Sequence, residues 1–318
     1  MFRSVLLVAA LLFAPCSAVL GQSFPSRPVR LIVGTAPGGG IDIIARLLAA
    51  KLQDQFGNPV IVENKPGASG GIGAEFVSKA APDGHTLLCA FSGQMVMNPV
   101  IQEKISYDPQ RDFEPVSMLG LFPVVLVAHP SLPANSVREL IAHARANPGK
   151  LNDASGSAGF FYVAEAFKQM TGADIRSIPF TGSAAAVNAL LADTVQLAFV
   201  DFPPAIGHIR SGRLKALGVT TARRVPFLPG VPAVAEDLPG YEFVLWTAMF
   251  APAGTPKDIV ARVQQEIVRA VDAPELQEKL ISLGVVPSTG TPQALGDIVR
   301  RDLALIRKLA LTAGPGGK

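Results

Sequence analysis

The chain has few cysteines, few aromatic residues other than phenylalanine, and no long apolar run beyond its first segment. Its 318 residues include two cysteines, one tryptophan and three tyrosines. Cys16 lies within the N-terminal leader described below, so Cys89 is the only cysteine expected in the mature chain, which excludes an internal disulfide. Because Cys89 lies in an apolar run, we expect a buried structural thiol.

An excess of charge of one sign is also missing. The chain has 28 lysines and arginines against 25 acidic residues, and the basic residues are scattered. Nucleic-acid binding and membrane-surface binding both need a basic cluster, so we expect neither partner. After the leader no segment approaches the roughly 20 apolar residues of a membrane span. We therefore expect a soluble mature protein.

Histidine is scarce, and the residues that would carry catalysis or hold a metal are not grouped. None of the histidines has a His or Cys partner at metal-ligand spacing, so we predict no metal and no cofactor. No pair of carboxylates stands out as a catalytic acid and base. We predict that the protein is not an enzyme. The four histidines are His85, His129, His143 and His208.

The N-terminus has the pattern of a secretory signal peptide. Arg3 precedes an apolar run at residues 5–13, and small and turn-forming residues follow to Gly21. The run is too short for a membrane span and is followed by a cleavage-type region. We predict a signal peptide over residues 1–21, with cleavage after Ala18 as the alternative. The residues before Cys16 match a lipidation signal poorly, which argues against a lipoprotein.

Strand-type runs alternate with helical periodicity through the mature chain, which predicts an α/β fold. The first strand, residues 29–33, leads into a Pro-Gly-Gly-Gly loop at 37–40, and a helix follows from Asp42. Glycines allow close approach of a ligand, and the free amides of a helix N-terminus favour an anion. The loop therefore predicts a carboxylate or phosphate site, and the alternative is a tight turn with Asp42 near the cap.

Three further strand ends run through small or turn-forming residues into helices. They lie at residues 155–157, at residues 181–183 and at Asp201. Ligands of open α/β sheets bind outside the carboxyl ends of the strands. We expect these ends and the first loop, divided between two lobes, to line one cleft.

The glycine-rich segment 67–73 resembles two catalytic motifs in spacing alone. It reads either as a dehydrogenase turn or as a Gly-x-Ser-x-Gly nucleophile elbow at Ser69. Both motifs follow a strand directly, whereas Asn-Lys-Pro intervenes here, and Tyr162 is followed four residues on by Ala166 rather than by lysine. A structural turn is the favoured interpretation, and an exported serine hydrolase using Ser69 remains the rival.

Two strands near 122–128 and 243–250 enclose a middle α/β segment, which suggests a second lobe inserted into the first. We predict a discontinuous first lobe at 22–126 plus 248–318 and a second lobe at 127–247. Trp246 lies in the second of these connections. It is either a core residue or a wall of the cleft.

Several blocks of sequence, in order along the chain, carry a resemblance to a known family. They are RPVRLIV at 27–33, PGGGID at 37–42, VENKPGA at 62–68, AAPDG at 80–84, FTGS at 180–183, GRLKAL at 212–217, LPGVP at 228–232 and FAPAGTP at 250–256. These blocks resemble the Bug/TctC extracytoplasmic binding proteins, the solute-binding components of tripartite tricarboxylate transporters.

The resemblance implies a periplasmic-binding-protein-like fold (type II-like) of two α/β lobes joined by two crossover strands. It also implies a monomer in the periplasm that closes on a small organic acid and serves membrane subunits of the transporter. In the family the first glycine-rich loop holds a ligand carboxylate through backbone groups, and loops of the other lobe complete the site. The candidate ligand-binding residues are Ala36, Pro37, Gly38, Gly39, Gly40, Ile41, Asp42, Ser92, Ser155, Gly156, Ser157, Ala158, Phe160, Phe161, Thr181 and Asp201.

Two departures from the family pattern bear on the ligand. Relatives commonly have Thr or Ser where this chain has Ile41, and they often have a His in the second-lobe loop, where this chain has the Phe-Phe-Tyr run at 160–162. Both changes make the cleft less polar. We hypothesise one backbone-held carboxylate on an apolar or aromatic body, rather than citrate. The alternative places these aromatic residues in the core of the second lobe.

Overall fold

The structure is a computed structural model and describes residues 24–102 and 104–312. The predicted signal peptide and Cys16 lie outside the described residues. In the described part of the chain no helix combines the length and the apolarity needed to cross a membrane.

Strands and helices alternate along most of the chain. The strands are β1 (Val29–Val33), β2 (Val60–Asn64), β3 (Thr86–Phe91), β4 (Phe113–Phe122), β5 (Val124–Ala128), β6 (Leu151–Ser155), β7 (Ile175–Pro179), β8 (Leu197–Asp201), β9 (Lys215–Val219), β10 (Leu245–Pro252) and β11 (Val286–Pro287). The helices are α1 (Gly40–Phe56), α2 (Gly71–Ser78), α3 (Asn98–Ile101), α4 (Val137–Ala146), α5 (Ala158–Thr171), α6 (Ser183–Leu191), α7 (Phe202–Arg210), α8 (Val234–Asp237), α9 (Lys257–Val271), α10 (Pro274–Ser282) and α11 (Pro292–Thr312).

The strands form two separate mixed sheets. Sheet A has the order β11-β4-β10-β3-β1-β2, and sheet B has the order β7-β6-β8-β5-β9. In sheet A, β1 runs parallel to β2 and β3, while β10 lies antiparallel between β3 and β4. In sheet B, β6 runs parallel to β7 and β8, while β5 lies antiparallel between β8 and β9. The predicted two-lobed α/β fold is confirmed.

The chain passes between the sheets at two places. It leaves sheet A at the end of β4 and enters sheet B in β5 with only Pro123 between them, and it returns at Val244, just before β10. We call the part on sheet A, residues 24–122 and 245–312, the first lobe, and the part on sheet B, residues 124–243, the second lobe. The domain limits at 126/127 and 247/248 stay a prediction.

Strand β4, with ten residues, is the element that the sequence pattern concealed. It contains Pro115, which has no amide to donate, and Gly120, which has no side chain to pack. Its pairing with β10 also shifts register between Thr247 and Ala248 and between Met249 and Phe250. Irregular pairing of this kind bends a strand and breaks the alternation of apolar residues on which recognition depends.

Both faces of sheet A are buried, as expected for parallel strands covered by helices. Leu31 and Val33 of β1 pack in one apolar cluster with Leu48 of α1, while Ile32 belongs to the cluster on the other face. Cys89 in β3 is fully buried, and burial raises the pKa of its thiol to about 12. The prediction of a buried structural thiol is confirmed.

Candidate functional site

A cleft of about 420 Å³ opens between the two lobes where the strands of both sheets end. Its walls come from the loop after β1, the segment after β3, both crossovers, and the starts of α5 and α7. The lining residues are Thr35, Ile41, Ser69, Phe91, Ser92, Gly93, Met97, Asn98, Ile101, Phe122, Ser157, Ala158, Gly159, Phe160, Asp201, Leu245 and Trp246. Most of these side chains are apolar or aromatic, which is the usual composition of a small-molecule site.

The first-lobe side of the cleft contains the start of α1. Gly38 has φ +82°, a conformation that residues with a Cβ seldom adopt, and its amide donates to Asp42 Oδ2 at 2.8 Å. The first backbone bond of the helix is made by the Ile43 amide to the Gly39 carbonyl at 3.0 Å. The amides of Gly40, Ile41 and Asp42 precede that bond, so they are the helix-start donors that an anion could use.

Asp42 lies beneath the loop rather than in the cleft. Its side chain is 2 % exposed, and besides Gly38 it accepts from Arg46 Nε at 3.0 Å and from Asn64 Nδ2 at 2.8 Å. The Asn64 amide also donates to the Thr35 carbonyl at 3.0 Å. Burial opposes ionisation of Asp42, but the hydrogen bonds from Arg46, Gly38 and Asn64 outweigh it and lower the pKa of the carboxyl. Asp42 therefore fixes the loop.

A strained turn brings Ser69 to the cleft. Ala68 and Ser69 have φ values of 48° and 51°, which are uncommon for residues with a side chain. Asn98 Nδ2 donates to the Ser69 carbonyl at 3.0 Å, and Gln94 Nε2 donates to the Gly70 carbonyl at 2.6 Å. These two buried amides hold the turn against its backbone strain, which is a common feature of ligand sites.

Glycines in the same turn allow it to pack against the end of β1. A Cβ on Gly34 would lie 2.8 Å from the Gly70 Cα, and one on Gly73 would lie 3.0 Å from the Gly34 Cα. Close backbone packing explains these glycines in the 67–73 segment.

The second-lobe side is formed by the start of α5. Ser157 caps this helix, and its Oγ accepts from the Phe160 amide at 3.4 Å. Ala158, Gly159 and Phe160 line the cleft, whereas the next residue, Phe161, is buried and packs edge-on against Tyr162 with ring centroids 5.4 Å apart. The aromatic run is therefore divided between the two roles that the sequence left open.

The other predicted second-lobe loops contact each other. The Phe180 amide donates to the Ser155 carbonyl at 2.8 Å, and the Gly182 amide donates to the Gly156 carbonyl at 2.9 Å. A Cβ on Gly156 would lie 2.8 Å from the Gly182 carbonyl carbon. These backbone contacts join the loop before α5 to the loop before α6.

Each crossover contributes to the wall. Phe122 at the end of β4 lines the cleft, and so does Trp246 in β10. Trp246 is also 2 % exposed, its Nε1 donates to Asp302 Oδ2 at 2.9 Å, and its amide donates to Ser92 Oγ at 3.3 Å. Trp246 thus combines the two interpretations that the sequence left open, since it is a core residue with one edge in the cleft.

Two polar atoms at the cleft have no hydrogen-bond partner among the described residues. They are the buried Thr35 Oγ1 and the buried Asp201 Oδ1. Asp201 ends β8 and precedes α7, yet its side chain makes no capping bond to that helix. Buried polar atoms are usually satisfied, so an unpaired one in a cleft points to a ligand or ordered water.

The predicted site residues separate into two groups. Those that line the cleft are Ile41, Ser92, Ser157, Ala158, Phe160 and Asp201. Those that lie outside this lining are Ala36, Pro37, Gly38, Gly39, Gly40, Asp42, Ser155, Gly156, Phe161 and Thr181. Thr35 and Asn98 were not predicted, and Ser69 was considered only as a possible nucleophile, on the spacing of the glycines around it.

The lining offers hydrogen bonds and apolar contact, with no proton acceptor of the imidazole type. No histidine belongs to it among the described residues, and in that part of the chain no group of three or more His, Cys, Asp or Glu could hold a metal. His85 lies by Asp83, and His129 lies by Ser131, both away from the cleft lining. Ser69 thus has no base of this kind beside it in the lining.

Solved structures with this fold include proteins holding small carboxylates. One is R. palustris Rpa4515 with adipate, which is 34 % identical, with a TM-score of 0.74 over 92 % of this chain and 98 % of that chain. Another is MatC (Rpa3494) from Rhodopseudomonas palustris with bound malate, which is 31 % identical, with a TM-score of 0.70 over 90 % of this chain and 99 % of that chain. These likenesses support a solute-binding role.

Sequence comparisons identify relatives and a family of the same kind as the structural comparisons. BugT of Bordetella pertussis (strain Tohama I) is 36 % identical over 314 residues, which cover 96 % of this chain and 95 % of BugT. A family model described as the tripartite tricarboxylate transporter family receptor matches residues 44–311. Because the match extends over most of the chain and both lobes, the protein belongs to the tripartite tricarboxylate transporter receptor (Bug/TctC) family of solute-binding proteins.

Proposed function

We propose that this protein captures a small organic carboxylate in the interlobe cleft and delivers it to the membrane subunits of a tripartite tricarboxylate-type transporter. The observation that carries the proposal is the cleft itself, in which the starts of α1 and α5 meet across apolar walls. Unpaired amides at a helix start favour an anion without any charged side chain.

In this proposal the ligand carboxylate accepts from the Ile41 amide at the start of α1, while the amides of Ala158 and Gly159 and the hydroxyls of Ser69 and Ser157 complete its contacts. Phe91, Phe122 and Phe160 surround the body of the ligand. The large apolar share of the lining supports the hypothesis of a carboxylate on an apolar or aromatic body.

Closure of the two lobes would trap the ligand. The sheets are joined at Pro123 and at Val244, two short segments that can act as hinges between rigid bodies. Phe122 and Leu245 flank these hinges and also line the cleft, so a ligand that contacts both lobes would favour the closed arrangement.

We place the mature protein in the periplasm as a monomer, after removal of residues 1–21. The leader pattern and the family membership support this location. Deletion of the gene should abolish uptake of the ligand by the cell. A sensor that docks to a receptor instead would leave uptake intact while abolishing a response to the ligand.

The direct test of binding uses protein purified without dialysis. Native mass spectrometry should show a bound small molecule, and extraction followed by mass spectrometry should identify a carboxylic acid. Calorimetry with a panel of mono-, di- and tricarboxylates, including adipate and malate, then gives the affinity. Occupation by a nucleotide or a metal, or no binding across the whole panel, would contradict the proposal.

The rival function, a serine hydrolase using Ser69, has its own test. Ester hydrolysis should be no faster than that of the Ser69→Ala variant, because no imidazole lines the cleft to accept the hydroxyl proton. An activity lost in that variant would restore the enzyme hypothesis.

A further inference from the structure

The lining of the cleft contains a charge of the wrong sign for a plain carboxylate ligand. Among the described residues that line it, Asp201 is the only one with a formally charged side chain, and no lysine or arginine accompanies it. A ligand carboxylate would be held by backbone amides, which leaves Asp201 to be explained. The inference below rests on the proposed function and concerns the rest of the ligand.

The side chain of Asp201 makes no stabilising polar contact with the described part of the chain. It appears in no ion pair among the described residues, its side chain caps no helix, and its Oδ1 is buried without a hydrogen-bond partner. Its backbone is fixed by pairing with Val124 of β5, next to the Pro123 hinge. The carboxyl is therefore held in place beside the cleft with one acceptor atom unsatisfied.

Asp42 supplies the contrast within the same protein. It also stands at the start of a helix that follows a strand, but its two oxygens accept from Gly38, Arg46 and Asn64. In a carboxyl group that stabilises the fold, both oxygens accept hydrogen bonds from the protein in this way. The unsatisfied carboxyl at Asp201 indicates a partner that comes from outside the chain.

We infer that the ligand is an amino-bearing carboxylate, in which an ammonium group donates to Asp201 while the carboxylate meets the helix-start amides. Apolar walls between these two points accommodate an aliphatic or aromatic body. A second carboxylate at the position of the ammonium would face Asp201 with like charge, which the site disfavours. Thr35 Oγ1, the other unpaired atom of the cleft, lies close to Gly39 at the start of α1, where its hydroxyl can donate to the ligand carboxylate.

The test compares ligands matched in length that differ at one end. Heptanoate ends in a methyl group, 6-aminohexanoate in an ammonium, and adipate in a carboxylate. A second pair, 3-phenylpropionate and phenylalanine, changes both the body and the position of the ammonium. Calorimetry on the mature chain, freed of ligand by unfolding and refolding, gives each affinity. We expect at least one amino-bearing ligand to bind about tenfold or more tightly than its partner without nitrogen, because hydrogen bonds to charged groups are the strong ones.

The variant Asp201→Asn tests whether the Asp201 carboxylate causes the preference for an amino-bearing ligand. It should lower the affinity for the amino-bearing ligand about tenfold and should not lower that of the plain carboxylate, because the removed charge has no partner on that ligand. Asp54→Asn, the same substitution on the exposed face of α1, should change neither affinity. Melting temperatures within a few degrees of the parent would show that both variants are folded.

The outcomes separate this inference from the proposed function. If adipate or a plain monocarboxylate binds more tightly than every amino-bearing ligand, the inference is overturned while the carboxylate receptor stands. The same holds if Asp201→Asn leaves the preference for the ammonium unchanged. If no carboxylate of any kind binds, the proposed function itself has failed.

Discussion

Asp42 and Asp201 both stand near the start of a helix that follows a strand, one in each lobe, and they differ in what they contact. Both stand where the chain passes from a strand into a helix beside the cleft. Asp42 is buried among three donors, whereas Asp201 presents an unpaired oxygen at the cleft. In the proposed binding mode the first lobe therefore offers backbone amides, and the second lobe offers a side chain.

The proposed binding mode assigns affinity for a carboxylate to the first lobe and selectivity among carboxylates to the second. Backbone amides at a helix start recognise any carboxylate, because they contact only the charged group. Side chains on the opposite wall, with Asp201 and Phe160 among them, would contact the remainder of the ligand in the proposed binding mode. Substitutions should therefore damage general binding in the first lobe and change ligand preference in the second.

The largest effect is expected from Asp42→Ala. Removing the carboxyl leaves the Gly38 amide, Arg46 and Asn64 without their common acceptor, and the loop loses its fixed shape. We expect a loss of about 3 kcal/mol in the free energy of unfolding, measured by urea denaturation, and at least tenfold weaker binding of every ligand. A loss below about 0.5 kcal/mol would show that the loop does not depend on Asp42.

A third carboxyl, Asp153 in β6, extends the comparison to pH. Its side chain is 1 % exposed, and burial raises its pKa to about 7 despite Lys168 and the hydrogen bond from Ser177. An unfolded Asp titrates near about 4, so the folded state binds the proton more strongly. The stability contributed by this group therefore falls as pH rises from about 4 to about 7, and it is constant above that range.

Asp153→Asn should remove this pH dependence. The gain in stability of the variant over the parent should be about 1 kcal/mol at pH 5 and larger by about 2–3 kcal/mol at pH 8, because the parent loses about 1.4 kcal/mol for each pH unit between pH 5 and the folded pKa of about 7. Urea denaturation at both pH values measures the difference. The exposed Asp174→Asn in the same lobe serves as control, and an equal gain at pH 5 and pH 8 would contradict the role of the charge.

Alanine substitutions at Gly38 and Gly156 compare the space for a side chain in the loop after β1 and in the loop after β6. A Cβ on Gly156 would lie within 3.0 Å of the Gly182 and Ser183 backbone, whereas a Cβ on Gly38 would meet nothing within 4 Å. Gly38→Ala should cost about 1 kcal/mol through its positive φ alone, and Gly156→Ala should cost about 1–2 kcal/mol more because backbone must move. Thermal denaturation measures both, and the reverse order would show that the second-lobe loops separate easily.

The smallest effect on stability is expected at Asp201. Because its side chain makes no hydrogen bond within the part of the chain that the structure describes, Asp201→Asn should change the free energy of unfolding by less than about 0.5 kcal/mol. Urea denaturation beside Asp42→Ala provides the direct comparison. A loss above about 1 kcal/mol would mean that Asp201 has a structural role.

Much of the architecture could be predicted from the sequence, and the reasons are local. Apolar runs such as β1 and β3 and the helical periodicity of α1 identify their own elements. Strand β4 could not be recognised, because Pro115 and Gly120 interrupt its pattern and only its pairing with β10 makes it a strand. The limits of the first crossover depend on that pairing, which is a long-range contact.

The candidate site was predicted in part. The positions at Ile41, Ser157, Ala158, Phe160 and Asp201 could be proposed because helix starts after strands lie at the ligand-binding edge of an α/β sheet. Asn98 was missed and Ser69 was considered only as a possible nucleophile, since the strained turn at Ser69 is supported by residues about thirty positions along the chain. Local sequence contains no trace of such support.

The sequence by itself determined the class of fold, the family, and the glycines that permit a backbone site for an anion. Each of these follows from short-range preferences or from blocks of residues in order. Only the tertiary structure decided that Asp42 is fully hydrogen-bonded while Asp201 has an oxygen without a partner among the described residues. It also decided that Phe160 rather than Phe161 lines the cleft. Those outcomes depend on which groups of distant segments come within hydrogen-bonding distance, and the order of residues does not specify that distance.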